Sequence, residues 1–333
     1  LKKKKHFKTG LVERKRENKI KGMSELGKIG LSALIGGANK DDFLLTAWPK
    51  EPFVVHQLNE TIRPLMEMPF LKSLEALLES WPGVIQAHLP DVSDESSSID
   101  VNASSARKLF ANKMALLFNN VQTLSPELEK WVKTLAKDLG LPTSTYGRCI
   151  VYATPDGKGT AAHFDQNINF VLQIHGTKTW WIAPNTSIEN PTQRFTIGQE
   201  LEFEMASYVE ETMPKSLPEK GRRKIVLQPG SMLFVPRGWW HSTEASGEAL
   251  ALNFTFSQPT WIDLFTQALR SRLVLSPAWR ELADGVTSSD TGTRLRAQNE
   301  FDGLLSELVN DLPNWRAQDI LGATEGDVES MSF

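Results

Sequence analysis

Three residues of this chain have the types and the spacing to hold a transition metal. They are His163 and Asp165, in the stretch His163-Phe164-Asp165, and His241, 76 residues after Asp165. Two imidazoles and one carboxylate take one face of an octahedral ion and leave the other face open, the ligand set of a non-haem Fe(II) centre that handles O2. On a strand, residues two apart share a face, so His163 and Asp165 reach one ion together. His-x-Asp alone is also the pattern of an ordinary surface pair, so its surroundings must carry the reading.

Those surroundings are informative. Gly230, Pro236, Gly238 and His241 fit the second cupin motif, Gly-x5-Pro-x-Gly-x2-His. Pro229-Gly230 makes a turn, Ser231 to Val235 runs back as a core strand, and Pro236 to Gly238 turns tightly to present His241 at a barrel mouth, a common place for ligand sites. The Asn expected four residues after that His is Ala245. Lys178 stands fifteen residues after His163, where a buried ammonium needs an anion. Thr160, three residues before His163, offers a hydroxyl to the same anion. Asn169 and Asn253 are amides inside apolar β segments, where an unpartnered amide is costly; they bind a ligand or pair with backbone.

Gly159 to Asp165, Phe170 to Lys178 and Pro229 to His241 together resemble the JmjC and cupin-like 2-oxoglutarate oxygenases. Among these the pattern is most similar to protein asparaginyl hydroxylases and ribosomal-protein arginine hydroxylases. The resemblance is strong over 147–257, faint over 41–146 and only architectural beyond 258. It implies that His163, Asp165 and His241 bind Fe(II), that Lys178 and Thr160 hold the far carboxylate of the cosubstrate 2-oxoglutarate, and that Asn253 contacts its other end. It also implies hydroxylation of a protein or peptide side chain with O2, releasing succinate and CO2. The rivals are a hydroxylase of a small natural product or modified peptide, and a metal-binding cupin without oxygenase activity, for which Lys178 would have no use.

The elements that must position these residues are mainly β with flanking helices: a double-stranded β-helix (jelly-roll, cupin) core and a helical C-terminal appendage. Strands are expected at 148–153, 167–174, 178–183, 225–228, 231–235 and 249–256, separated by turn residues such as Asp156-Gly157, Gly176 and Ser246-Gly247. Residues 185–224 form a polar insertion. Ahead of the core lies an α/β region, 23–146, with helical spacing at 69–80, a polar Ser-rich loop at 91–105, and a helix at 126–139. That helix has Ser125 as N-cap, Pro126 at its first position and Gly140 past its end. From 258 the chain turns helical, with Trp261, Leu264, Phe265, Ala268, Leu269 and Leu273 in one stripe, read as core or as a homodimer seam.

Composition bounds the rest. A hydrophobic content of 40% and a charged content of 23% describe a globular chain. The single cysteine, Cys149, excludes an internal disulfide framework and a multi-Cys zinc site, and reads as inert core in a cytoplasmic protein. No run is long and apolar enough for a membrane span. Residues 1–22 carry ten Lys/Arg and two Glu, a net +8, so the remainder is -11. This basic tail is read as upstream or non-native sequence, or as disordered, rather than as a nucleic-acid arm. His175 is read as a surface residue, and His56 and His88 as structural or exposed. At most one of Trp239 and Trp240 is expected to line the pocket.

Overall fold

The computed structural model describes residues 30–37, 39–88, 98–318 and 320–321. It separates into two compact units, one of residues up to Leu141 with Tyr146–Ser257, the other of Pro142–Thr145 with the chain from Gln258. The basic segment 1–22 and residues 91–97 of the Ser-rich segment lie outside the described residues.

The elements run α1 (Leu31–Leu34), α2 (Lys40–Thr46), β1 (Phe53–Val55), α3 (Arg63–Met66), α4 (Leu74–Ser80), β2 (Ile85–His88), β3 (Ser98–Val101), α5 (Ala103–Ala111), β4 (Ala115–Asn119), α6 (Pro126–Asp138), β5 (Tyr146–Thr154), β6 (Gly159–Phe164) and β7 (Ile168–Ala183). They continue with β8 (Phe195–Thr196), α7 (Phe203–Ala206), β9 (Arg223–Leu227), β10 (Met232–Val235), β11 (Trp240–Ser257), α8 (Trp261–Leu273) and α9 (Thr291–Asp311).

Two long strands, β7 and β11, build the core. Their pairing holds through both halves, and the register breaks between Ser246 and Ala251. Before the break, β11 pairs β6 and the second half of β7, which in turn pairs β9. After it, β11 pairs β5 and the first half of β7, which pairs β10. The result is two antiparallel layers sharing two bent strands, the double-stranded β-helix.

Period-two alternation decides what each layer faces. Along β5, Cys149, Val151 and Ala153 enter the main hydrophobic cluster, whereas Arg148, Ile150, Tyr152 and Thr154 line the cavity between the layers. Along β11, Leu250, Leu252, Phe254 and Phe256 enter the cluster, whereas Ala251, Asn253 and Thr255 line the cavity. Helix α6 covers the outer face, with Trp131 edge-on to Phe254 at 4.9 Å between ring centroids. As expected, Ser125 caps α6 by accepting the Leu128 N–H, and Gly140 takes φ +68°.

Several sequence expectations are revised. The two strands expected at 167–174 and 178–183 are one, because Gly176 at φ +69° bends β7 without ending it. A Cβ at Gly176 would overlap the Glu248 carbonyl. Gly176→Ala is therefore expected to cost about 2–4 kcal/mol from overlap and a left-handed backbone, seen as a lower calorimetric Tm. The strand expected at 249–256 begins at Trp240, so His241 sits on a strand and not only on a turn. The helix expected across 69–80 is split, because the Ser73 side chain accepts the Ala76 N–H and starts α4 afresh. The Ser-rich loop expected to reach 105 ends in β3, paired to β2, and then in α5, capped by Asn102.

In the second unit, Thr260 and Asp263 form a capping box at the start of α8. Arg272 of α8 holds Asp311 of α9 through two hydrogen bonds of 2.7 and 2.6 Å. No residue of α9 is buried, and Leu295, Phe301, Leu305 and Val309 are exposed on it. Among the described residues, no helix is long and apolar enough to cross a membrane.

Candidate metal centre

His163 on β6 and His241 on β11 are direct cross-strand partners, their ring centroids 4.1 Å apart. Both are buried. The Nδ1 atom of His163 lies 2.7 Å from the Ala161 carbonyl and that of His241 lies 2.9 Å from the Trp239 carbonyl. Each Nδ1–H donates there, which sets the tautomer and turns Nε2 with its lone pair inward. Asp165, just past β6, brings its carboxylate 3.9 Å from His163 Nε2 and 3.7 Å from His241 Nε2. The three ligand atoms lie within 4.8 Å of one another, close enough for one ion.

The surroundings hold this set in place. Gly238 donates its N–H to the Asp165 carbonyl at 2.8 Å, tying the two motifs together. Asn169 Nδ2 donates to Asp165 Oδ2 at 3.0 Å, and Arg194 Nε lies 3.2 Å from Oδ1. The Trp180 ring stacks on His241 at 5.5 Å. Burial, followed by the neighbouring His163, holds the His241 imidazole well below its ordinary pKa, so it is neutral and able to ligate at physiological pH.

The same cavity, of about 450 Å³, receives the other expected residues. Lys178 is 3% exposed, donates to Thr154 Oγ1 at 3.0 Å, and sits over the Tyr152 ring at 5.9 Å. No carboxylate pairs with it among the described residues, and burial lowers its pKa to about 8. An ammonium so placed fits a small anion entering the cavity. Thr160 lines the same cavity and shares a 2.9 Å hydrogen bond with Thr243. Asn169 links Asp165 to Thr255 and Asn253, both of which donate to its Oδ1. Asn253 Oδ1 is buried without a partner. As placed, it lines the cavity with a free acceptor.

Some readings change. His175 is half-buried and bonds the Leu71 carbonyl at 2.7 Å, so it pins the outer layer to the core. His88 lines the cavity, and burial, followed by Arg194, lowers its pKa. Neither Trp239 nor Trp240 lines the cavity. Trp240 packs on Phe164 and Phe195, and Trp239 donates to the Lys50 carbonyl. Arg237 clasps the insertion through the Pro191 and Asn190 carbonyls. Residues 185–224 also supply β8, which pairs β6 beside His163, and Arg194. Sequence reasoning missed Arg148, Tyr152 and Thr154, which simple alternation along β5 would have placed on the inner face. It also missed Arg194, which no periodicity signals.

Comparison with known proteins gives a consistent picture. A family model described as "JmjC domain" matches residues 141–264. The chain is 32% identical over 297 residues to the uncharacterized protein YxbC of Bacillus subtilis, covering 87% of this chain and 88% of that one. It is 26% identical over 151 residues to ribosomal oxygenase 1 of Rattus norvegicus, covering 44% of this chain but only 23% of that longer protein. Among solved structures, YcfD, a ribosomal oxygenase of Escherichia coli in complex with cobalt and succinic acid, superposes with a TM-score of 0.52 at 17% identity. That match covers 87% of this chain and 70% of YcfD and speaks to the shared fold.

Proposed function

The chain belongs to the JmjC family, and from that premise we propose that it is an Fe(II)- and 2-oxoglutarate-dependent dioxygenase hydroxylating a side chain of a protein or peptide. The observation that carries this is the pairing of one three-ligand metal face with one buried, carboxylate-free lysine in a single cavity. A metal-binding cupin without cosubstrate chemistry accounts for the first feature and not the second.

His163, Asp165 and His241 would hold Fe(II), and Lys178 with Thr160 would hold the distal carboxylate of 2-oxoglutarate. When bound, the metal and cosubstrate supply oxidative decarboxylation to succinate and CO2 with transfer of one oxygen atom to a substrate C–H bond. The chain itself does four things. The Nδ1 contacts of the two histidines and the Asn169–Asp165 bond fix the ligand directions. Lys178 neutralises and orients the cosubstrate from the Thr154 side of the cavity. Trp180, Val171, Val235 and Ala251 present an apolar wall that limits water. The cavity, about 450 Å³, has room for the cosubstrate and a substrate side chain.

The test is succinate release from 2-oxoglutarate with Fe(II), comparing wild type, His163→Ala and Lys178→Ala. Absence of both turnover and 2-oxoglutarate binding in the iron-loaded wild type would defeat the reading. Because Lys178 loses its proton above about pH 8 in the free protein, kcat/KM for 2-oxoglutarate is expected to fall as pH rises through that value, measurable in a pH series.

A homodimer through the C-terminal helices, and a cytoplasmic location, also form part of the proposal. The exposed apolar residues of α9 support the first. Sedimentation of wild type against Phe301→Asp with Leu305→Asp should show the mass of two chains falling to one. Unchanged sedimentation would place the seam elsewhere.

A further inference from the structure

The cavity carries charge opposite to that of the chain as a whole. Residues 23–333 are net -11, yet among the described residues the cavity is lined by Lys113, Arg148, Lys158, Lys178 and Arg194 against the single carboxylate of Asp165. Asp165 pairs with Arg194 at 3.2 Å, and Lys178 is reserved for the cosubstrate. Arg148 and Lys113 then line the cavity with no carboxylate partner among the described residues.

Arg148 is the informative one. It is half-buried on the inner row of β5, its Nε is buried without a hydrogen-bond partner, and no carboxylate pairs with it among the described residues. Its guanidinium lies 5.9 Å from the Tyr146 ring centroid, a contact that leaves the Nε–H without an acceptor. A buried guanidinium N–H without an acceptor is costly, so the site is built for a ligand that supplies one. Lys113 stands at the same cavity with a left-handed backbone, φ +67°, past the end of α5, and has no ion-pair partner among the described residues.

Position separates this anion from the cosubstrate. Arg148 and Thr154 mark the two ends of the inner row of β5, six residues and so roughly 20 Å apart. Lys178 is bonded at the Thr154 end, and a five-carbon diacid held there does not reach Arg148. In the strand register Arg148 faces Thr255, and Thr255 faces Asn169, which holds the metal-ligand carboxylate. Arg148 is thus about two strand spacings, roughly 10 Å, from the metal side of the cavity.

We propose that Arg148, assisted by Lys113, is a carboxylate receptor for the substrate, selecting a polypeptide that carries Asp or Glu within one or two residues of the hydroxylated side chain. This rests on the dioxygenase reading for its place in the reaction, but not for its binding chemistry. A guanidinium matches the planar carboxylate with two parallel N–H donors. The same carboxylate could come from a small acid, and the experiment separates these sources.

The test uses the full chain with Fe(II) and 2-oxoglutarate under anaerobic conditions. Fluorescently labelled peptide libraries with fixed Asp/Glu, Asn/Gln or Lys are compared by anisotropy, with N-acetylglutamate as small-acid competitor. The acidic library is expected to bind tighter by about tenfold or more, the scale of a hydrogen bond to a charged group. Arg148→Gln should erase that preference and Arg148→Glu should move it to the Lys library. Arg148→Lys should restore it in part, and the exposed Lys113→Gln should weaken it even if Arg148 variants fail to fold. N-acetylglutamate binding without peptide binding would keep the carboxylate receptor and overturn the polypeptide. Equal binding of acidic and neutral libraries, or no binding of any probe, would overturn the proposal. Loss of wild-type succinate release with the acidic preference intact would instead count against the dioxygenase reading, and the converse pattern against the receptor alone.

Discussion

His163→Ala is expected to remove stoichiometric Fe(II) binding and, with it, succinate release. The physical basis is the closeness of the ligand set: three donors, from β6, the residue just past it and β11, lie within 4.8 Å, with no fourth His, Cys, Asp or Glu grouped with them among the described residues. Loss of a mere outer partner of a ligand already costs about 10–100-fold in metal affinity, so loss of a ligand is expected to cost more than about 100-fold. Asn169→Ala supplies the graded comparison, because it removes the 3.0 Å bond to Asp165 and leaves all three ligands. Iron content after reconstitution and equilibrium dialysis should rank wild type, Asn169→Ala and His163→Ala in that order. The fold should survive, since β6 keeps its backbone pairing to β11, and far-UV circular dichroism checks this. A His163→Ala protein that retains full iron stoichiometry would remove the centre from this cavity.

Lys178→Met is expected to make the protein inactive and more stable at once. Burial lowers the Lys178 pKa from 10.5 to about 8, so the folded state disfavours the proton that the unfolded chain keeps. The resulting destabilisation is complete below about pH 8, shrinks as pH rises, and is gone above 10.5. Each tenfold loss of proton affinity on folding corresponds to about 1.4 kcal/mol, which caps the gain at about 3 kcal/mol; lost hydrogen bonding to Thr154 subtracts from it. In melting experiments at pH 7 the Met variant should unfold above wild type, and the gap should close toward pH 10.5. Added 2-oxoglutarate should raise the Tm of wild type and leave Lys178→Met unmoved, since only a protein that binds the ligand is stabilised by it. If the Met variant melts lower at neutral pH and gains nothing relative to wild type, the ammonium is stabilising where it sits and does not await an anion.

The metal ligands were legible because their signal is local. His-x-Asp on a strand and a His carried by a Pro-x-Gly turn each depend on a few neighbouring backbone angles, and the structure brings them together as cross-strand partners. Lys178 was legible for a similar reason: it follows Gly176 on the strand beside the motif, and its charge conflicts with its apolar setting. The core helix α6 was readable from its cap, its stripe and its terminal glycine.

What the sequence alone determined was therefore the chemistry-bearing set and the two-layer β architecture, since both arise from short-range spacing and period-two alternation. The tertiary structure decided which charges share the cavity. Alternation along β5 puts Arg148 on an inner face, but only the register of β5 against β11 sets it opposite Thr255, and Arg194 comes from an insertion without periodicity that only its packing brings to Asp165. Net charge is a sum that contains no positions. A chain whose body is acidic thus folds to present a basic cavity, because folding sorts residues by strand face and register and not by the average over the chain.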